Sequence, residues 1–103
     1  MTRKSPRLPL ARYQRILRKH LPELRDQYKV VSLGVFGSYV RGQQKKRSDL
    51  DLLVEFAQPP DLFRLMDLED HLSKQLGVKV DLAPRRALKG EIGERILSEV
   101  IPI

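Results

Sequence analysis

The sequence contains no cysteine. That excludes disulfides and thiolate metal sites, and it fits a reducing cytosol. No apolar run approaches the roughly 20 residues that a membrane-spanning helix needs. The opening MTRKSPRLPL is basic, but no apolar stretch of a secretory signal follows it, so the expected location is cytoplasmic. Aromatic residues are few, three Tyr and three Phe, and no nucleic-acid reading motif is present. The pattern GxxxxGK[ST] is also missing, which excludes a P-loop. There is no internal repeat and no low-complexity segment.

One scarcity is local. Residues 1–29 carry nine Lys and Arg but only two acids, Glu23 and Asp26, a balance of +7. Residues 30–103 carry eleven bases against eleven acids, so the whole net charge of +7 lies in the N-terminal segment. Such a segment attracts polyanions or an acidic protein surface, or it is simply a solvated helix face. At 103 residues the chain makes one domain with a modest core, burying roughly 60–65% of its unfolded surface. A partner would have to supply any second catalytic or specificity element.

The charged, proline-bearing residues 1–8 read as a loose tail. From Pro9, Leu10, Tyr13, Ile16, Leu17 and Leu21 recur at helical steps, and Pro22 either ends that helix or opens a second one through Tyr28. Residues 30–36 are short and β-branched and predict a strand, closed by Gly37-Ser38 and a helical turn over 38–42. A polar loop follows, and Asp49 to Phe56 is the second strand, stopped by Pro59-Pro60. Asp61 is a plausible N-cap for a helix to Leu76, with Leu62, Leu65, Met66, Leu72 and Leu76 on one side and Gly77 at its end. Residues 78–82 alternate as a third strand with Asp81 off the valine face, broken by Pro84. A last helix spans about Gly90 to Val100, with Ile92, Ile96 and Val100 aligned. The order α-β-(α)-β-α-β-α predicts a small three-stranded α/β sandwich.

Alternation along a strand puts Asp49 and Asp51 on one face. Two carboxylates within about 7 Å repel, so one pKa rises unless a cation compensates. Magnesium is the natural candidate, since it takes hard oxygen ligands and completes its shell with water and phosphate. If the third strand lies beside the second, Asp81 completes a three-carboxylate cluster able to hold two ions about 3.5–4 Å apart, an arrangement suited to in-line phosphoryl or nucleotidyl displacement. Gly37-Ser38 belongs to the same picture: a glycine at a strand-to-helix turn lets backbone approach a phosphate, and Ser38 adds a hydroxyl donor. Arg41, one turn on, is positioned to face the same pocket, and Ser48 beside Asp49 is a further candidate nucleotide contact. His20 and His71 sit in helical patterns and read as surface or half-buried residues rather than ligands. Lys45-Lys46-Arg47 reads as a solvated loop, placed where a triphosphate or a partner could meet it.

The run FGSYVRGQQKKRSDLDLLVEF resembles the signature of the nucleotidyltransferase superfamily that includes DNA polymerase β and kanamycin nucleotidyltransferase: Gly-Ser, ten residues, Asp-x-Asp, and a third carboxylate one strand later. The size and the ending DLAPRRALKGEIGERILSEVIPI resemble the minimal nucleotidyltransferases in particular. The resemblance covers about residues 30–103 and implies the polymerase β-like fold, a small mixed sheet of three strands flanked by helices. It divides the chain into a basic tail and helix over 1–29 and a minimal nucleotidyltransferase domain over 30–103, together one compact unit. It also implies that Asp49, Asp51 and Asp81 are catalytic and bind two Mg²⁺ ions, and that Gly37 and Ser38 hold the phosphates of ATP. Minimal nucleotidyltransferases are typically paired with a small helical HEPN RNase toxin. The resemblance implies an antitoxin that transfers AMP from ATP to a tyrosine hydroxyl of that toxin. Three rivals stand beside this reading: an antitoxin acting by binding alone, a nucleic-acid-binding module built on the basic segment, and transfer to a small molecule, for which the chain looks too short.

Overall fold

The computed structural model describes residues 9–45 and 47–103. The expected loose tail over residues 1–8 lies outside them, as does Lys46 of the basic loop. The elements are α1 (Leu10–Tyr28), β1 (Val30–Phe36), α2 (Ser38–Arg41), β2 (Leu50–Phe56), α3 (Leu62–Leu76), β3 (Val80–Pro84), a 3-10 turn (Arg85–Ala87), α4 (Gly90–Glu99) and β4 (Ile101–Pro102). The sheet order is β3-β2-β1-β4. β1 runs antiparallel to β2 and β4, while β2 and β3 are parallel.

The sheet therefore has four strands rather than three. β4 is two residues long and one of them is a proline, too little for any alternation to be read. It forms because the chain leaving α4 passes the edge of β1, where Gly34 and Val35 face Pro102 and Ile101. The Ile103 N–H then donates to the Leu33 carbonyl at 2.9 Å. An edge strand tolerates a residue with no N–H.

α1 is one helix, and Pro22 lies inside it. Proline removes the bond to the carbonyl four residues back, here Arg18. Both Pro22 and Arg18 are exposed, so water can satisfy that carbonyl, while Tyr13, Leu17 and Leu24 on the other side are at most 1% accessible and hold the helix to the core. Fully burying a side chain of this size is worth roughly 1.5–3 kcal/mol. Strand alternation supplies the facing surface: Leu50, Leu52 and Val54 of β2 are fully buried, with Leu33 and Val35 beside them. α3 closes this layer through Leu68, Leu72 and Leu76. The expected α3 stripe thus holds at Leu72 and Leu76 but not at the start of the helix. Leu62 and Met66 are 66% and 56% accessible, because the contact with the sheet is made by the C-terminal half of the helix. Ile92 of α4, aligned in the sequence with Ile96 and Val100, is likewise exposed.

Asp61 caps α3 as the sequence predicts, accepting the Arg64 N–H at 2.8 Å. Gly77 ends it in the left-handed region at φ 71°. At the junction of α1 and α3, the Tyr28 hydroxyl donates to Asp67 at 3.1 Å and the Arg64 guanidinium donates to the Gln27 carbonyl.

β3 is an edge strand, and α3 satisfies its free side. The Val80 N–H donates to Ser73 Oγ and the Leu82 N–H to Glu69 Oε2, each at 2.9 Å. Ser73 in turn donates to the Glu69 carbonyl at 2.8 Å. An unpaired strand edge invites pairing with another chain, and these side chains close it. They also fix the position of the residue between the two bonds, Asp81. No helix among the described residues is long and apolar enough to cross a membrane.

Candidate functional site

Two of the expected site residues stand at neighbouring strand positions, and a third expected element adjoins them. The parallel register pairs Asp51 of β2 with Asp81 of β3. The antiparallel register pairs Asp51 with Phe36, the last residue of β1, so the Gly37-Ser38 turn opens beside it. Asp49 lies just before β2 rather than within it. The condition set by the sequence, that the third strand lie beside the second, is met.

Burial pushes the Asp51 carboxyl up to about 6, with the charges of Asp81 and Asp49 adding to the rise and the Arg41 guanidinium opposing it. Like-charge repulsion alone predicts a raised carboxyl. The larger cause is loss of water, since Asp51 is half-buried while its register partner Asp81 is exposed.

Gly37 carries the turn in a conformation open only to glycine, φ 83° and ψ −154°. A β-carbon there would run into the Asp51 carboxylate. Ser38 begins α2, and the Val40 and Arg41 N–H groups close the turn on the Gly37 carbonyl at 3.1 and 3.2 Å. The next residue, Tyr39, anchors it: its ring meets that of Tyr13 edge-on, with centroids 5.7 Å apart. Both rings are nearly fully buried, so α1 braces the turn from below. Ser48 serves the loop itself, its hydroxyl accepting the Lys45 N–H at 2.7 Å.

Sequence reasoning missed Glu99, the last residue of α4. Glu99 Oε2 accepts the Gly37 N–H at 2.7 Å. Arg41 Nη1 donates to both carboxylate oxygens, at 3.1 and 3.0 Å. Burial alone would raise the Glu99 carboxyl; the Gly37 N–H and Arg41 outweigh it and hold the group below the usual range. The pairing spans 58 residues, so no local spacing announces it. The available hint is a carboxylate at a helix C-terminus, where the helix dipole disfavours negative charge. Arg41, expected to face a phosphate, is paired with this carboxylate.

Among the described residues, no three carboxylates or imidazoles are gathered tightly enough to cage a metal ion on their own. Hard oxygen donors from two adjacent strands still suit Mg²⁺, which commonly takes one or two carboxylates and fills its remaining positions with water and substrate phosphate. His20 and His71 lie apart from this chemistry: His20 pairs with Glu23 at 3.5 Å, and His71 packs beside Tyr28.

Residues 17–103 match the family described as nucleotidyltransferase domain. The chain belongs to that family. This nucleotidyltransferase is 44% identical over 94 residues to the protein adenylyltransferase MntA of Thermococcus cleftensis, an alignment covering 91% of this chain and 95% of the relative. Its fold is similar to a solved structure assigned as a minimal nucleotidyltransferase, with a TM-score of 0.70, 36% identity and 90% of each chain covered. It is also similar to a chain of a toxin–antitoxin complex solved with AMP-PNP: TM-score 0.68, 25% identity, covering 92% of this chain and 72% of the other. The expected polymerase β-like class of fold stands, with the strand count corrected.

Proposed function

We propose that this nucleotidyltransferase is a Mg²⁺-dependent protein adenylyltransferase that serves as an antitoxin. It moves AMP from ATP to a tyrosine hydroxyl of a cognate HEPN-domain RNase toxin. The observation that carries the reading is the register pair Asp51–Asp81 beside the Gly37-Ser38 turn. Two comparisons support it: the Thermococcus relative is named a protein adenylyltransferase, and a structural neighbour is a toxin–antitoxin complex with an ATP analogue.

The triphosphate lies over the turn, where Gly37 lets the backbone approach closely and Ser38 donates its hydroxyl. Asp49, Asp51 and Asp81 would hold Mg²⁺. When bound, the ion offsets the charge of carboxylates and phosphates and makes the attacking hydroxyl more acidic. The tyrosine oxygen bonds to the α-phosphorus as the bond from phosphorus to the bridging oxygen of pyrophosphate breaks. Asp81, the more exposed of the register pair, accepts the hydroxyl proton. Asp51, fixed against Gly37, would keep the ion beside the α-phosphate. The rate comes mainly from positioning and charge compensation.

The test is the intact mass of the cognate HEPN toxin after incubation with this protein and Mg–ATP, beside the Asp49→Asn, Asp51→Asn double variant. Mass gains in AMP units with the wild type alone are expected. No gain while a stable complex forms would replace this reading with an antitoxin that acts by binding.

A further inference from the structure

We infer that Glu99 is a positioning residue for nucleotide binding, the clamp that holds the Gly37–Arg41 turn in its phosphate-receiving shape. The inference rests on the reading of that turn given under Proposed function.

One carboxylate reaches both ends of the turn. It accepts the N–H of Gly37, which opens the turn, at 2.7 Å. It also accepts the guanidinium of Arg41, which closes it, at 3.0 and 3.1 Å. Charge-assisted bonds of this kind are short and roughly twice as strong as neutral ones. The clamp acts at the point where the chain leaves the sheet. Gly37 lies one residue beyond β1 in a glycine-only conformation, and its N–H is taken by Glu99.

Helix energetics do not account for Glu99. The last turn of α4 has no basic residue, and a carboxylate there opposes the helix dipole. Its hydrogen bonds come from the turn, and Arg95 of α4 adds only the attraction of its charge. Its side chain is 17% accessible, while that of Arg41 is 38% accessible. The acid is therefore the inner, fixed member of the pair, and the guanidinium lies on the open side, close enough to Asp51 to oppose its raised pKa. Releasing Glu99 would leave the Gly37 N–H without this acceptor and free Arg41 to swing toward the carboxylates.

A clamp on the turn acts on the phosphates that the turn receives and spares the remainder of the ligand. The decisive measurement is calorimetric titration of the full chain with Mg–ATP and, separately, with AMP, for wild type, Glu99→Ala and Glu99→Gln. Thermal unfolding of each variant runs alongside. In Glu99→Ala, Mg–ATP affinity should fall about tenfold and AMP affinity should change less than about twofold. Glu99→Gln retains an acceptor for Gly37 but loses the ion pair, so it should lie between. It also serves as the test variant if Glu99→Ala does not fold. Removing Glu99 in an Arg41→Ala background should cost less than in the wild type, since the two residues act as a unit.

Equal losses for ATP and AMP would reduce Glu99 to a general structural role and overturn the inference. Tighter Mg–ATP binding in Glu99→Ala would also overturn it, making Glu99 an internal anion that competes with the triphosphate. A wild type that binds Mg–ATP no better than AMP would overturn the phosphate reading of the turn itself, and this inference with it.

Discussion

The Asp51 carboxylate occupies the space that a β-carbon on Gly37 would need. The glycine is therefore required twice, once for its positive φ and once for this contact. Gly37 follows β1 and Asp51 lies in β2, and their closeness joins the turn to the acidic pair. Gly37→Ala should abolish nucleotidyl transfer and lower stability by about 1–3 kcal/mol, the range for backbone strain at such a position. Denaturant unfolding and a transfer assay read both effects. A variant with wild-type activity would show that the contact can relax without consequence.

Asp51 should make stability depend on pH in the absence of divalent ions. Its carboxyl is raised from 3.8 to about 6 in the folded chain. A raised carboxyl contributes stability that is fully present below its ordinary value and is lost as pH climbs through the folded value. Between about pH 4 and pH 7 the wild type should therefore lose stability from this group. Asp51→Asn should not show that loss, and at pH 7 its unfolding midpoint should be a few degrees above wild type although it transfers nothing. Thermal unfolding of both proteins in EDTA across this window is the measurement. Parallel pH curves would mean that Asp51 titrates as an ordinary carboxylate.

α1 should be inseparable from the folded unit. Leu24 is fully buried and Leu17 nearly so, both within the main core. Leu24→Ala should cost about 2–5 kcal/mol, as expected for a buried leucine that leaves a cavity. Urea unfolding measures it. A cost below about 0.5 kcal/mol, the size of an ordinary surface substitution, would mean that α1 is an appendage.

Much of the site could be read from the sequence because its residues are local to strand ends. Gly37-Ser38 and Asp49-x-Asp51 fall at breaks in apolar runs, and strand alternation places the aspartates on one face. Asp81 needed one further step, the adjacency of β2 and β3, which the register supplies. Glu99 had no such signal, since its partners lie 58 and 62 residues away. Fold elements divide the same way. Asp61 and Gly77 mark the ends of α3 through side-chain and backbone chemistry visible in one sequence. The helix end at Tyr28 is the one that the second reading of Pro22 gives, although Lys29 closes it in the left-handed conformation usually left to glycine. Pro22 misleads because the helix interior normally rejects proline, and here burial on the opposite side outweighs the missing bond. β4 is too short to carry a period.

The link from Gly37 to Glu99 also orders the birth of the site in time. Chains emerge N-terminus first at about 5–20 residues per second. A growing chain has the turn and all three aspartates when residue 81 appears, yet the carboxylate that fixes the turn is still 18 residues from being made. β1, β2 and β3 all leave the ribosome ahead of α4, so the aspartates can come together before the turn is settled. Competence to receive a triphosphate would then come later than the sheet itself, arriving with the docking of α4.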